Sequence, residues 1–276
     1  GLAYIDHGPV TLAHNEIDAV RMYAVAIETL RNHYTVARSL RLRITPPTLA
    51  ARGSRGLLLQ AHGFSRAPEK ARMKILVDTS RDLATIRESL NSTWRNELSQ
   101  AEAFDDLVIT TTTVPEHFTE LDRLLGPPEA RKNFIASQRP QFLAKMQRRA
   151  CGPDKLRLYL AHKGAELVSA HLVAPQGAIT ISLMAATTAA GHAVKASNLI
   201  QWATIKDCVR EGKAWYDTGA INPVDNPGVT EFKRGMGGLE CPEDGAFEAM
   251  PSGAVGILAR FAEQAYRAIK PATAPN

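Results

Sequence analysis

One stretch of this sequence, residues 156–183, contains three short runs of strand-forming residues, and the first and the third run alternate apolar with other residues. Two turn signals that contain glycine, Lys163-Gly164 and Gln176-Gly177, separate the runs. Strict alternation is the pattern of strands that bury one face, and short turns containing Gly join such strands antiparallel. The sequence therefore predicts a three-stranded antiparallel meander.

The meander leads into a characteristic order of further elements. A run of small residues, 185–193, precedes a helical pattern from Lys195 to Arg210, and Gly212 ends that helix as a C′ glycine. A strand then runs into Tyr216 and Asp217. Meander, small-residue loop, helix and strand in this order resemble the core of the GNAT acyltransferase superfamily.

The rest of the chain alternates between predicted strands and predicted helices, which indicates an α/β or α+β fold. The predicted strands are 3–10, 40–44, 74–77 and 107–113, the predicted helices are 15–32 with Asn15 as N-cap, 82–103, 115–125, 130–149 and 253–268, and residues 60–64 are a predicted turn. Trp94 lies on the apolar stripe of the helix 82–103, so we expect it in the core. Arg95 faces elsewhere and is a candidate for a phosphate contact or an ion pair.

Composition narrows the class of protein. The chain has 276 residues, 45% of them hydrophobic, and a net charge of +5, which is ordinary for a soluble protein and favours anionic partners. Cys151, Cys208 and Cys241 lack zinc or redox spacing and the eight histidines are scattered, so we expect free thiols in a reducing compartment and no metal site. No apolar run reaches the roughly 20 residues that a membrane helix needs, and no signal peptide is evident. We therefore expect a cytoplasmic protein.

A second informative segment runs from Trp215 to Gly238 and is rich in Gly, Pro and Asn. It predicts a short strand and then a long loop that presents Phe232 and Lys233 just before three glycines. A lysine among glycines, which allow close approach of the backbone, suits the stabilisation of a negative charge on a ligand. From the residues alone, a surface loop with an incidental lysine is an equal alternative.

Motifs along the chain point to one family within this superfamily. The motifs are Tyr216-Asp217-x-Gly219-x-Ile221-x-Pro223, Asn226-Pro227-Gly228-Val229 and Phe232-Lys233-x-Gly235-x-Gly237-Gly238, with upstream stretches at 4–10, 42–46, 63–64, 94–102, 131–134 and 196–202. Together they resemble the Fem aminoacyltransferases of the peptidoglycan interpeptide-bridge family. The family carries a substrate-binding lysine in a segment before Tyr4, so we expect the N-terminal part of the first domain to be missing from this chain.

The resemblance implies a fold and an activity. It implies two GNAT-like domains, 1–110 with 245–276 and 111–244, each a mixed, largely antiparallel sheet flanked by helices. It also implies an aminoacyltransferase that moves an amino acid from aminoacyl-tRNA to an amine on a peptidoglycan precursor or another peptide. Direct attack on the activated ester needs no cofactor, and peripheral contact with a membrane is compatible with such an acceptor.

The resemblance also assigns roles to residues. Lys233 is the expected oxyanion stabiliser, and Phe232 is the expected wall of the same site. The candidate substrate-binding residues are Asp217, Gly219, Asn222, Gly235, Gly237 and Arg95. Asp217 either forms a structural turn, which we favour, or positions the amine. No general base is evident in the sequence.

Two other functions stay open at this point. Gly191-x-Ala193 is the second half of the acyl-CoA pyrophosphate motif of GNAT enzymes, but Thr188 stands where Arg or Gln is usual. An acyl-CoA-dependent N-acyltransferase is thus the first alternative, and a non-catalytic RNA or precursor binder is the second. The basic helical region 130–149 is either a solvated face, which we favour, or a path for RNA.

Overall fold

The computed structural model of the protein describes residues 1–11, 15–46, 54–68, 72–126, 140–152, 155–253 and 261. The chain divides into two compact units, Gly1–Arg72 with Pro242–Asn276 and Met73–Cys241. Within the described residues, none of the helices is both long and apolar enough to cross a membrane. The three cysteines are free thiols, as predicted.

The strands and helices of the described residues are listed here in chain order. The strands are β1 (Leu2–Ile5), β2 (Arg41–Ile44), β3 (Ser65–Arg66), β4 (Met73–Asp78), β5 (Leu107–Thr112), β6 (Arg157–Lys163), β7 (Glu166–Gln176), β8 (Ile179–Thr187), β9 (Trp215–Ile221), β10 (Leu239–Pro242) and β11 (Phe247–Ala249). The α-helices are α1 (Glu16–Leu30), α2 (Ser54–Ala61), α3 (Leu83–Ser89), α4 (Ser92–Glu102), α5 (Phe118–Leu125), α6 (Pro140–Gln147), α7 (Ala189–Ala193), α8 (Ala196–Arg210) and α9 (Pro227–Arg234).

The first unit is built on a four-stranded sheet in the order β1-β2-β11-β3. β1 pairs with β2 in parallel, and β11 pairs antiparallel with β2 and β3. Asn15 caps α1 as predicted, because its side-chain oxygen accepts from the amide of Asp18. Tyr23 and Ile27 of α1 pack with Leu42, Ile44 and Phe247 in the core of this unit.

The second unit is built on a seven-stranded sheet in the order β10-β4-β9-β8-β7-β6-β5. The predicted meander is confirmed as β6, β7 and β8, which pair antiparallel in sequence. Alternation along β6 divides its side chains between two faces. Leu158 and Leu160 pack in a core with residues of α5 and α6, whereas Tyr159 and Ala161 pack in a core with residues of α8. Two mixed, largely antiparallel sheets flanked by helices confirm the predicted fold class.

The parallel pair β8–β9 separates part of the way along its length. The pairing runs from Ile179–Trp215 to Ile181–Asp217, and both strands continue beyond it, to Thr187 and Ile221. Beyond that point β8 keeps its pairing with β7, and β9 keeps its pairing with β4. The two strands therefore diverge after Ile181 and Asp217, and the backbone opens between them.

The single helix predicted over 82–103 is wrong, because the structure has two helices there. Asp82 caps α3 through the amide of Thr85 at 2.9 Å, and Asn91 caps α4 through the amide of Trp94 at 2.7 Å. Leu90 and Asn91 are extended, with ψ of 143° and 163°. The capping side chain of Asn91 competes with a continuous helix, which apolar spacing alone does not reveal. Trp94 lies in the core as predicted and is 2% exposed.

Of two other predictions of irregular structure, one is wrong. Residues 227–234 are the helix α9 rather than part of a loop, because Pro227 is favourable in the first turn, where its missing N–H is not needed. The turn predicted over 60–64 is confirmed at His62 and Gly63, which follow the end of α2 at Ala61. The strands β10 and β11 were not predicted. Most of the predicted helix 253–268, and Arg131, Lys132 and Phe134, lie outside the described residues.

The boundary between the two units falls after Arg72, whereas the sequence suggested residue 110. The difference has a simple cause in strand pairing. β4 is hydrogen-bonded to β9 in the middle of the seven-stranded sheet, and α4 packs against α8. Residues 73–110 therefore share the core of the second unit.

Candidate active site

The opening between β8 and β9 contains the side chain of Lys233. Lys233 is the seventh residue of α9, and its half-buried Nζ donates a hydrogen bond to the carbonyl oxygen of Ala220 at 2.8 Å. Burial lowers the pKa of Lys233, the charge of Asp217 partly opposes this effect, and the charge of Lys74 adds to it, so that the pKa is about 8. At neutral pH most molecules therefore carry an ammonium group at this position.

Phe232 fixes the helix that carries Lys233. Its ring contacts Trp94, with the ring centroids 5.8 Å apart, and it packs on the core formed by α3, α4, α8 and β9. Phe232 and Lys233 are consecutive in α9, so they point in different directions, Phe232 into the core and Lys233 towards β9. In the structure Phe232 is thus a packing residue next to the site.

Gly219 creates the space that Lys233 Nζ occupies. It has φ of +83°, and a Cβ atom there would lie 3.3 Å from Lys233 Nζ and 3.6 Å from the carbonyl oxygen of Ser182. Glycine is the residue that adopts such a φ without strain. Gly219 thus leaves a gap between Lys233 on one side and β8 on the other.

A buried ion pair holds the backbone at Gly219. Lys74 Nζ on β4 lies 3.0 Å from Asp217 Oδ2, and these residues are 6% and 2% exposed. The other oxygen, Asp217 Oδ1, accepts the amide N–H of Gly219 at 2.7 Å. Asp217 therefore orders β9 where it departs from β8, which agrees with the structural role that we favoured. Lys74 was missed, although a lysine inside the apolar run 73–77 is a visible signal.

The remaining predicted residues lie further from Lys233 or make local contacts. Asn222 Oδ1 accepts the amides of Val224 and Asp225, which closes the turn before α9. Arg95 is exposed, and its guanidinium donates to the carbonyl of Glu88 at 2.7 Å.

The glycines after Lys233 approach their own chain closely. A Cβ atom at Gly235 would lie 2.8 Å from Trp94 Cδ1, and one at Gly237 would lie 2.2 Å from the carbonyl oxygen of Ser89. The close backbone approach expected of these glycines is therefore made to α3 and α4, and their contact with a substrate stays a prediction.

Thr188 and Gly191, in the segment that resembles half of the acyl-CoA pyrophosphate motif, contact other residues of the protein. Thr188 Oγ1 accepts the amide of Gly191 at 3.1 Å, so Thr188 caps α7. A Cβ atom at Gly191 would lie 2.3 Å from the carbonyl oxygen of Val168 on β7. Glycine is needed here for packing against β7, and its amide is already bonded.

In the basic helical region, Arg148 pairs with Glu116 at 3.1 Å, which is typical of a solvated face.

Two further residues of the opening were not predicted. His171 on β7 is 1% exposed, and its Nε2 lies 2.9 Å from Oγ of the half-buried Ser182 on β8. Burial and the charge of Lys233 lower the pKa of His171 to about 3, so its imidazole is neutral. The signal in the sequence was the presence of polar residues, Ser169 and His171, within the otherwise apolar run 167–173.

The class of the protein follows from this fold and from a family match. The family model of the acetyltransferase (GNAT) domain matches residues 89–234, which is more than half of the chain. The chain therefore belongs to the acetyltransferase (GNAT) domain family, and its class is that of the GNAT-type acyltransferases.

Several solved structures have a fold similar to that of this chain. The crystal structure of FemX matches with a TM-score of 0.72 at 15% identity, over 95% of this chain and 83% of FemX. The C-terminal domain of a putative lysylphosphatidylglycerol synthetase from Agrobacterium fabrum matches with a TM-score of 0.59 at 15% identity, over 95% and 81% of the two chains. A conserved protein of unknown function from Bacteroides thetaiotaomicron matches with a TM-score of 0.58 at 10% identity, over 83% and 75%. None of the curated proteins matches significantly.

At these identities the matches show the fold, and they confirm the Fem-like GNAT fold that the motifs indicated.

Proposed function

We propose that this protein is an aminoacyltransferase that moves an amino acid from aminoacyl-tRNA to an amine acceptor, with a peptidoglycan precursor peptide as the first candidate. The observation that carries the proposal is the half-buried ammonium of Lys233 at the opening between β8 and β9. The likeness of the fold to FemX supports it. The amino acid, the tRNA and the acceptor are left to experiment.

Lys233 suits the charge that develops in this reaction. The amine attacks the ester carbonyl, a C–N bond forms, and negative charge collects on the carbonyl oxygen before the bond to the ribose oxygen breaks. One preorganised donor at such an oxygen is worth about 3 kcal/mol of barrier in a water-poor site. Because an aminoacyl ester is already activated, the protein has to position the amine about 3 Å from the carbonyl and stabilise the oxyanion.

The neighbouring residues would keep this ammonium in place. Phe232 anchors α9 against Trp94, and the Lys74–Asp217 pair orders the backbone of Gly219. A donor whose surroundings are already ordered costs little reorganisation when the oxyanion forms. These residues are accordingly assigned to positioning Lys233, with no contact to the reacting atoms.

The contacts of α7 favour this proposal over acyl-CoA as the donor. A pyrophosphate cradle uses free backbone amides. The amide of Gly191 is bonded to Thr188 Oγ1, and the space beside Gly191 is filled by the carbonyl of Val168. An acyl-CoA enzyme would have to displace this cap.

One experiment separates the three functions. The protein is incubated with a pool of charged tRNA and a set of amine acceptors that includes peptidoglycan precursor peptides, and in parallel with acyl-CoA and the same acceptors. Product mass is the readout. A gain equal to one aminoacyl residue, formed only with charged tRNA and lost in Lys233→Ala, supports the proposal. A gain only with acyl-CoA contradicts it, and binding of charged tRNA without any product favours a non-catalytic binder.

A further inference from the structure

A buried polar cluster lies beside Lys233, on the strands that border the opening. Its centre is His171 on β7, whose Nε2 is 2.9 Å from Ser182 Oγ on β8. Ser182 is the first residue of β8 beyond the last pair with β9, so it stands where the two strands diverge. His171 is also in contact with Thr204 of α8 and with Tyr216 of β9. The cluster is therefore held by three strands and a helix.

The partners of these residues decide where the protons lie. The hydroxyl of Thr204 donates to the carbonyl of Ile200 at 3.0 Å, and the hydroxyl of Tyr216 donates to Gln201 Oε1. Thr204 Oγ1 can then only accept, and His171 Nδ1 is 3.5 Å from it. A neutral imidazole has one donor and one acceptor nitrogen. Tyr216 Oη, which lies 3.5 Å from Nε2, can likewise only accept. We take the tautomer with the proton on Nδ1, in which Nε2 accepts from the Ser182 hydroxyl at 2.9 Å.

This assignment gives Ser182 a specific chemical character. In this tautomer the Ser182 hydroxyl donates to His171, and the lone pairs of its half-buried oxygen can accept a hydrogen bond. A hydroxyl oriented in this way can accept a hydrogen bond from a ligand N–H. The backbone carbonyl of Ser182 borders the gap at Gly219, and Lys233 Nζ borders the same gap. The gap at Gly219 thus has the ammonium of Lys233 on one side and the backbone of Ser182 on the other.

We propose that Ser182 and His171 form the proton relay for the acceptor amine. The inference rests on the proposed transfer of an acyl group to an amine. As the C–N bond forms, the amine gives its proton to Ser182 Oγ, and Ser182 gives its own proton to His171 Nε2. When the C–O bond breaks, the imidazolium returns its proton through Ser182 to the leaving oxygen. Every proton that leaves the amine therefore ends on the released hydroxyl.

The charges of the site are consistent with this order of events. The pKa of His171 is about 3, because burial and the ammonium of Lys233 both disfavour the imidazolium, so the ring is neutral before the reaction. The oxyanion that Lys233 stabilises offsets the charge of that ammonium. The basicity of His171 consequently rises at the moment when the amine has to lose its proton.

The first test needs no substrate. Nitrogen-15 spectra of histidine side chains distinguish a protonated ring nitrogen from an unprotonated one. We expect His171 to be neutral at pH 7, with the proton on Nδ1, and the Nε2 signal to move in Ser182→Ala. A proton on Nε2 in the wild-type protein would overturn the inference, because Ser182 would then be the acceptor of that hydrogen bond.

The second test is kinetic and uses whichever donor class the wild-type protein accepts. Ser182→Ala should lower kcat about 100-fold with KM changed less than about twofold, and should reduce the solvent isotope effect on kcat. His171→Gln should lower kcat similarly, because its amide accepts the Ser182 bond but cannot hold the proton. Thr180→Val, a buried substitution on the same strand, serves as the control.

The outcomes separate this inference from the proposed function. Suppose that only acyl-CoA is a donor and that Ser182→Ala still lowers kcat about 100-fold. This result contradicts the aminoacyl-tRNA proposal and supports the proton relay. If Ser182→Ala equals Thr180→Val in kcat, the relay fails whichever donor is used. An acyl adduct on Ser182, found by mass in the wild-type protein, also overturns it, because Ser182 would then be a nucleophile. Thermal unfolding of Ser182→Ala confirms that the variant is folded.

Discussion

Gly219 and Lys233 meet at the opening between β8 and β9, where a Cβ atom at Gly219 would lie only 3.3 Å from Lys233 Nζ. Any larger residue at position 219 would therefore crowd the ammonium. The φ of +83° at Gly219 adds a backbone reason for glycine at the same place. Shape and charge of the candidate site thus depend on one residue without a side chain.

The first prediction concerns Gly219→Ala. The substitution should cost about 1–2 kcal/mol of unfolding free energy through strain at positive φ, and it should displace Lys233 Nζ. We expect kcat to fall about tenfold or more, since small misplacement of a catalytic group is costly. Chemical denaturation and steady-state kinetics measure the two effects. Gly228→Ala in α9, where a Cβ atom would meet nothing within 4 Å, is the control. Equal kinetics for both variants would contradict this role of Gly219.

The second prediction concerns the buried pair of Lys74 and Asp217, whose charged atoms are 3.0 Å apart. Asp217→Asn keeps an oxygen for the amide of Gly219 but removes the negative charge beside a buried lysine. Breaking a buried pair on one side typically costs about 3–5 kcal/mol. We expect a loss of this size in urea denaturation, and a smaller loss for Glu102→Gln, which breaks the exposed pair with Arg87. Similar losses for the two variants would show that the buried pair does not organise β9.

The third prediction separates packing from substrate binding at Gly237. A Cβ atom there would lie 2.2 Å from the carbonyl oxygen of Ser89, and φ is +70°. Gly237→Ala should therefore lower the unfolding free energy by about 2 kcal/mol or more, with KM for the acceptor unchanged in the folded fraction. Calorimetry and initial rates test this. A raised KM with unaltered stability would instead support substrate binding at this glycine.

The fourth prediction follows from the lowered pKa of Lys233, about 8 in the folded protein against 10.5 as the ordinary value. Between these two pH values the unfolded chain holds a proton on Lys233 that the folded protein has lost. Stability therefore rises with pH across this window, and the buried charge is a destabilising feature below about pH 8.

This contribution can be isolated with Lys233→Met. Relative to the variant, the wild-type protein should gain about 1 kcal/mol of unfolding free energy between pH 7 and pH 10, allowing for the solvent that reaches a half-buried group. Parallel pH profiles of stability for the two proteins would contradict a lowered pKa. Lys206→Met on the exposed face of α8 controls for the loss of a lysine as such.

Local patterns predicted the parts of the fold that depend on local information. The strand-forming runs and glycine turns of 156–183 predicted β6, β7 and β8, and Asn15 was recognised as a cap. The break at Asn91 and the helix α9 were missed, because capping by one side chain and a proline in a first turn outweighed apolar spacing. The boundary after Arg72 depends on the pairing of β4 with β9, a contact between distant parts of the sequence.

The residues of the candidate site could likewise be predicted from the sequence only in part. The resemblance of the Phe232-Lys233 motif pointed to the lysine that the fold brings to the opening. Lys74, Ser182 and His171 were missed, since their roles arise from contacts of β4, β7 and β8 with residues far along the chain. The available signals were Lys74 in the apolar run 73–77 and two polar residues, Ser169 and His171, in the run 167–173. Such residues acquire meaning only when their partners are known.

The central claim is that the ammonium of Lys233 stabilises the oxyanion during transfer from aminoacyl-tRNA. The most direct measurement is kcat with charged tRNA and a working amine acceptor for the wild-type protein, Lys233→Ala and Lys233→Arg. We predict a loss of about 100-fold to 1,000-fold in Lys233→Ala, a smaller loss in Lys233→Arg, and little change in KM for charged tRNA. Unchanged kcat in Lys233→Ala would contradict the claim.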